Sequence, residues 1–198
     1  MSQLTLTSDP LGSATTGTWE FSNPAFYMTP ATLQRGVVLA DQLILQQSTY
    51  TLTSQTAAQK LFNASTNGQV TLVAGTYEFD CAFSLSSMSS SSGSFGFALG
   101  GGATFTQYWW SNANKATLAT AAGGQVTFNT AANTAIATAT TATVAFARCG
   151  GVVNVSIGGT LIPQVSLGVA AAAVVGAGSY FKIRALGDTA VATVGNWS

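Results

Sequence analysis

From Thr51 onward, apolar and polar residues alternate with a period of two, and no window of a dozen residues sustains the i, i+3, i+4, i+7 recurrence of an amphipathic helix. The clearest stretch follows Ala74-Gly75. There Tyr77, Phe79, Cys81, Phe83 and Leu85 fall on one side of an extended chain, and Glu78, Asp80, Ala82, Ser84 and Ser86 on the other, which predicts a strand with one dry and one wet face. After a serine-rich loop at 86–92, Phe95, Phe97 and Leu99 alternate with Ser94, Gly96 and Ala98, and these two strands are expected to pair as a hairpin. Further strands are predicted at 104–110, 125–129, 143–149, 152–157, 161–167 and 179–186. Gly150-Gly151 and Gly158-Gly159 bracket one of them and read as tight hairpin turns, which need positive φ, so a meander is expected. Residues 57–62 read as one helical turn or a short strand.

Roughly ten short strands without interleaved helices suit an antiparallel two-sheet sandwich or jelly roll better than any α/β design. The fold class is therefore all-β, with the sandwich assigned to residues 48–198. Residues 1–47 differ, because Pro10, Pro24, Pro30 and the run Thr15-Thr16-Gly17-Thr18 interrupt any long strand, yet Trp19, Phe21, Phe26 and Tyr27 need cover. They read as an extended N-terminal attachment arm. Within it, 36–47 reads as a strand or a short helix leading into the sandwich.

Charged residues make up only 6% of the chain, against about a quarter in an ordinary soluble domain. The six basic and six acidic residues cancel, which removes any general attraction to nucleic acid or anionic lipid and leaves little repulsion between copies. A sandwich whose outer face is rich in Ala, Val, Ser and Thr hides that face against symmetric copies, so self-association is expected. The candidate for close subunit approach is the small-residue segment containing Val165, Leu167, Val169, Ala171, Ala173 and Val175; its other reading is a small-residue loop.

The chain has no histidine, which removes the commonest general base, the usual metal ligand and every Ser-His or Cys-His nucleophile pair. The only close carboxylates, Glu78 and Asp80, alternate on one strand as polar-face residues do, and the basic residues are spread singly rather than clustered for phosphate. No catalytic residue, cofactor or metal ion is expected, and the chain is read as non-enzymatic. Cys81 and Cys149 lie in predicted strands and read as buried reduced thiols, with a disulfide left open. The most apolar run, 167–175, is about half a bilayer span, and Met1-Ser2-Gln3-Leu4-Thr5 lacks the pattern of a secretory signal. No membrane partner is expected, and assembly in the cytoplasm is. Tyr108-Trp109-Trp110 is the one group suited to reading a ligand, since flat rings stack on sugars and anchor interfaces. Consecutive strand residues face opposite ways, so at least one of the three is expected at a subunit interface or in the open.

Gly75-Thr76-Tyr77-Glu78-Phe79, Gly93-Ser94-Phe95-Gly96-Phe97-Ala98-Leu99 and Ser179-Tyr180-Phe181-Lys182-Ile183 resemble strands of TNF/C1q-like jelly rolls. The longer stretch 50–197, with Gln55-Thr56-Ala57-Ala58-Gln59-Lys60-Leu61-Phe62 and Ile162-Pro163-Gln164-Val165-Ser166, is similar to domains at the ends of tailed-phage fibre and minor structural proteins. Gly17-Thr18-Trp19-Glu20-Phe21, Phe26-Tyr27-Met28-Thr29-Pro30 and Arg35-Gly36-Val37-Val38 resemble the segment that precedes such domains. The resemblance implies a homotrimer on a virion surface, attached to capsid or fibre/tail proteins through the arm, and carries over no catalytic residue. Fibre proteins place such a domain behind a long shaft, whereas here a short arm precedes it, which shifts the expectation toward a head decoration or cement protein. The alternative is a fibre-tip, receptor-binding protein that contacts host surface glycan near Tyr108, Trp109 and Trp110.

Overall fold

The computed structural model describes residues 8, 12, 15–31, 34–38, 40–91, 93–115, 125–129, 133–136 and 144–191. Among them there is no helix, and the strands in chain order are β1 (Trp19–Ser22), β2 (Ala25–Ala31), β3 (Gln34–Val38), β4 (Asp41–Leu45), β5 (Tyr50–Thr51), β6 (Gln59–Lys60), β7 (Val70–Leu72), β8 (Gly75–Ser86), β9 (Phe95–Gly100), β10 (Thr104–Lys115), β11 (Gln125–Asn129), β12 (Asn133–Ile136), β13 (Ala145–Ile157), β14 (Gly159–Leu167), β15 (Val174–Val175) and β16 (Tyr180–Gly187). The first three make a small sheet of their own. A large sheet runs β11-β10-β13-β8; beyond β8, its far side is shared by β16 with β4 and by β15 with β5. The facing sheet runs β12-β9-β14, with β6 and β7 both on the outer side of β14. Every pairing is antiparallel, and the two larger sheets pack as a β-sandwich.

The alternation of β8 is kept without a break along its length, with Tyr77, Phe79, Cys81, Phe83 and Leu85 all buried. Opposite them in the second sheet stand Phe95, Phe97 and Leu99. Phe83 meets Phe95 edge-on at 5.7 Å and stacks on Phe97 at 6.1 Å, while Phe79 lies 6.3 Å from Phe97 and 5.9 Å from Phe181. Such ring pairs add about 0.5–1.5 kcal/mol each beyond the area they bury. They are the seam between the sheets.

Several expectations are corrected by the pairing. β8 and β9 do not form a hairpin: they belong to opposite sheets, and the chain between Ser86 and Phe95 crosses over the core with Met88 buried beneath it. Two dry faces that meet across a core have the same period as two that share an edge, so alternation alone cannot tell them apart. Gly150-Gly151 is not a turn but the middle of β13, opposite Asp80 and Phe79 on one side and Ser111 and Trp110 on the other, and neither glycine has a left-handed φ. Gly158 marks a crossing between sheets, where a Cβ would come 2.8 Å from the Leu72 carbonyl oxygen. The open segments resolve as strands: 36–47 contains the end of β3 and all of β4, and 57–62 contains β6. β4 pairs with β16, so residues 41–45, which composition placed in the arm, are a strand of the large sheet.

Phe97 is 1% exposed and touches the rings of both β8 phenylalanines, Phe79 and Phe83. Phe97→Ala is expected to lower the unfolding free energy by about 3–5 kcal/mol, measured by chemical denaturation, with Ser84→Ala on the wet face of β8 as the near-neutral control.

Candidate functional site

Antiparallel partners share a face of their sheet, and the register of the N-terminal sheet sorts its side chains into two rows. Phe21 lies opposite Phe26, Trp19 opposite Met28 and Phe26 opposite Val38, so these five form one face; Ala25, Tyr27 and Thr29 lie on the other. The second face is docked on the sandwich and buried. Two glycines make way for it: a Cβ at Gly75 would come 2.7 Å from Pro24 Cγ, and one at Gly187 would come 2.8 Å from the Tyr27 hydroxyl. Burial raises the Tyr27 pKa, Asp188 adds to this and Arg35 opposes it, so the phenol stays neutral. The first face is open, with Trp19 60%, Phe26 41% and Val38 37% exposed and the Phe21 and Phe26 rings 4.7 Å apart. Arg35 fastens the sheet by pairing with Glu20 at 2.8 Å and donating to the Gly12 carbonyl at 2.7 Å. Of the expected arm residues, Tyr27 thus serves the protein's own fold, and Trp19, Phe21 and Phe26 line an apolar surface.

A second feature lies on the outer face of the large sheet. Antiparallel pairing puts Lys182 opposite Asp80 and Arg184 opposite Glu78, and β13 places Gly150 beside Asp80 and Val152 beside Glu78. Arg148 grips Asp80 with two bonds, Nε to Oδ1 at 3.0 Å and Nη2 to Oδ2 at 3.2 Å, and the Tyr180 hydroxyl donates to Oδ2 at 2.9 Å. Arg184 donates twice to Glu78 Oε2, and Lys182 stands 3.8 Å from Asp41. The missing side chain of Gly150, which faces outward beside Asp80, helps to leave a depression of about 680 Å³ among these groups. Single-residue inspection treats these charges as scattered. The signal was available: two acids at i, i+2 on one strand and two bases at i, i+2 on another are complementary once the strands are neighbours.

Asp80 has a pKa below the ordinary carboxylate value: burial pushes it up, and the bonds from Arg148 and Tyr180, with the nearby Arg148 and Lys182 charges, outweigh burial. A folded value below the unfolded one stabilises the protein fully above the unfolded pKa, and that contribution is lost as pH falls through the folded pKa. Asp80→Asn is therefore expected to flatten the acid limb of the stability profile below about pH 4, read as melting temperature against pH.

Cys81 and Cys149 are both buried, free and directly opposite each other on β8 and β13. Ser84 accepts from the Gly176 N–H and donates its own N–H to Ser179, so its polar groups point away from β13; alternation then turns those of Cys81 toward β13. Directly bonded partners of this type have Cα atoms about 5.5 Å apart, with Cβ atoms at the wide end of roughly 4.5–5.5 Å, outside the approximately 3.5–4.5 Å of a relaxed disulfide. Burial raises both thiol pKa values, further lifted at Cys81 by Cys149 and Asp80 and at Cys149 by Asp80. Neither thiol should react with an aromatic disulfide reagent in the native protein, and both should react in denaturant; prompt native labelling would contradict the burial.

The small-residue segment is placed differently from its expected role. Val165, Leu167, Ala173 and Val175 are core residues, Ala171 packs against the core, and Val169 alone of the six is exposed, at 39%. The close approach that small side chains permit is used within the chain, where the Leu52 N–H reaches the Ala173 carbonyl at 2.8 Å. Tyr108, Trp109 and Trp110 lie in β10 opposite Val153, Val152 and Gly151; their side chains fall outside the described residues. Among those residues, no group of three or more metal-ligating side chains occurs, and no helix is long and apolar enough to cross a membrane. No protein-family model matches the chain, and no curated protein matches it.

Proposed function

We propose that this chain is a non-enzymatic phage virion structural protein, a homotrimeric jelly-roll module on the particle surface that decorates or cements the head. The observation that carries the reading is the open apolar face of the N-terminal sheet, where Trp19, Phe21, Phe26, Met28 and Val38 share one side of three paired strands. A contiguous apolar surface of this kind marks an interaction site. Support for the jelly roll comes from strand order: β4-β16-β8-β13 faces a second layer in the order β6/β7-β14-β9-β12, with the β10–β11 pair extending the first layer at its edge. Consecutive strands repeatedly change sheet, as in a Greek-key sandwich. Support for association comes from the scarcity of charge, 6% of residues with a net of zero, which leaves little repulsion between copies.

The attachment face can be tested without touching the sandwich. Trp19→Asp with Phe26→Asp should leave the melting temperature of the sandwich and the oligomer mass, three times 20.1 kDa, unchanged while abolishing incorporation into particles. Undiminished occupancy would remove the attachment claim. Truncation should stop before β4, because loss of residues 41–45 strips a strand from the large sheet.

A further inference from the structure

We propose that the depression over Gly150-Gly151, on the outer face of the large sheet, is a binding site for a neutral saccharide, a ligand function that goes beyond attachment and uses a different surface. Gly150 faces outward beside Asp80, whereas Gly151 stands opposite the buried Phe79 and faces the core. A glycine in the middle of a paired central strand weakens it, and where no bulge or turn demands it, it marks close approach by something else. β13 runs through this point without a register shift against either neighbour. A Cβ at 150 would come 3.3 Å from the Phe79 carbonyl oxygen, a tight contact that the backbone meets by giving a few tenths of an ångström, and the rest of a side chain there would stand in the depression.

The groups around the gap also retain hydrogen-bonding capacity. Both Arg184 bonds end on Oε2 of Glu78, so among the described residues its Oε1 accepts nothing. Lys182 Nζ, at 3.8 Å from Asp41, lies beyond hydrogen-bond reach and keeps its donors. The Arg148 side chain is 70% exposed, and its two bonds to Asp80 use only part of its five-donor fork. Acceptors and donors therefore alternate around one concavity, held in place by the ion pairs that occupy their other positions. Sugar hydroxyls both donate and accept, which is what such an arrangement can satisfy.

The charges of both signs select against a charged ligand. An anion would face the Glu78 and Asp80 carboxylates, and a cation would face Arg148, Lys182 and Arg184, so a neutral ligand meets the least opposition. Half-buried Val152 and Leu186 at the rim give the apolar C–H face of a pyranose a surface to rest on. The volume falls within the roughly 300–1,000 Å³ of small-molecule sites.

The test uses the full-length protein on an array of oligosaccharides ending in unmodified hexoses and N-acetylhexosamines, alongside their sialylated and sulfated counterparts, followed by calorimetry on the best neutral binder. Binding of one or more neutral glycans is expected, weakened about tenfold or more by Gly150→Val, which fills the floor, and by Lys182→Gln, which removes a donor without altering a tight ion pair. Both variants should keep the wild-type oligomer mass and particle occupancy, and Lys182→Gln the wild-type melting profile as well, so that any stability change from the tight fit at 150 is read apart from binding. Absence of binding to every neutral glycan, preference for the acidic counterparts, or binding that survives both substitutions would overturn the proposal. A change in oligomer mass in either variant would also overturn it, because the face would then be covered by another copy of the chain. Particle occupancy and glycan binding are read separately, so failure of one leaves the other standing.

Discussion

Strand β8 has bonded neighbours along both edges, and the unbroken two-residue repeat of its side chains is the constraint on which the rest of the molecule depends. Its inward row meets the Phe95 and Phe97 rings and holds the two sheets together. Its outward row presents Glu78 and Asp80 to cations on β13 and β16. A slip of one residue would exchange these rows, driving two carboxylates into the aromatic seam and two phenylalanines into water. Core and surface chemistry are thus two readings of one register, and the cost of exchanging them on the buried side protects the alignment of charges on the other.

Much of this was visible in the amino-acid pattern, and the missing part has a physical cause. Alternation identified the longer strands of the sandwich and the buried side of β8 and β9, because side-chain direction is a local property of an extended chain. It did not identify partners: the aromatic faces of β8 and β9 are as compatible with opposition across a core as with pairing along an edge. Glycine was the least legible signal. Gly158 serves a close crossing, Gly75 and Gly187 admit the N-terminal sheet, and Gly150 leaves a gap on the outer face of a continuous strand, yet all look alike as letters. The segment from Val165 to Val175 shows a related limit of the pattern: small side chains report that two backbones come close, without reporting whether both belong to one chain. The apolar arm was legible as a surface in need of cover, and only the register divided Tyr27 from Trp19, Phe21 and Phe26.

The distribution of charge follows from the same geometry. Asp41, Glu78, Asp80, Arg148, Lys182 and Arg184 are six of the twelve charged side chains, and all lie on the outer face of the large sheet. Exposed ion pairs contribute little to stability, about 0–1 kcal/mol each, so their concentration is not accounted for by the needs of the fold. What the pairs do is restrain long side chains in defined positions around a gap in the sheet. The N-terminal sheet shows the opposite economy: one ion pair, Glu20 with Arg35, and an exposed face of rings and aliphatic side chains.

The path of the chain between these two regions has a mechanical corollary. β3 ends at Val38 and β4 begins at Asp41, so the small sheet is joined to the sandwich by a leash of two residues, and the first strand beyond it is already laced along β16. Such a leash has almost no slack. A tug on the small sheet passes at once into the rungs between β4 and β16, whose other edge is β8, so the handle and the body of this molecule resist force as one piece.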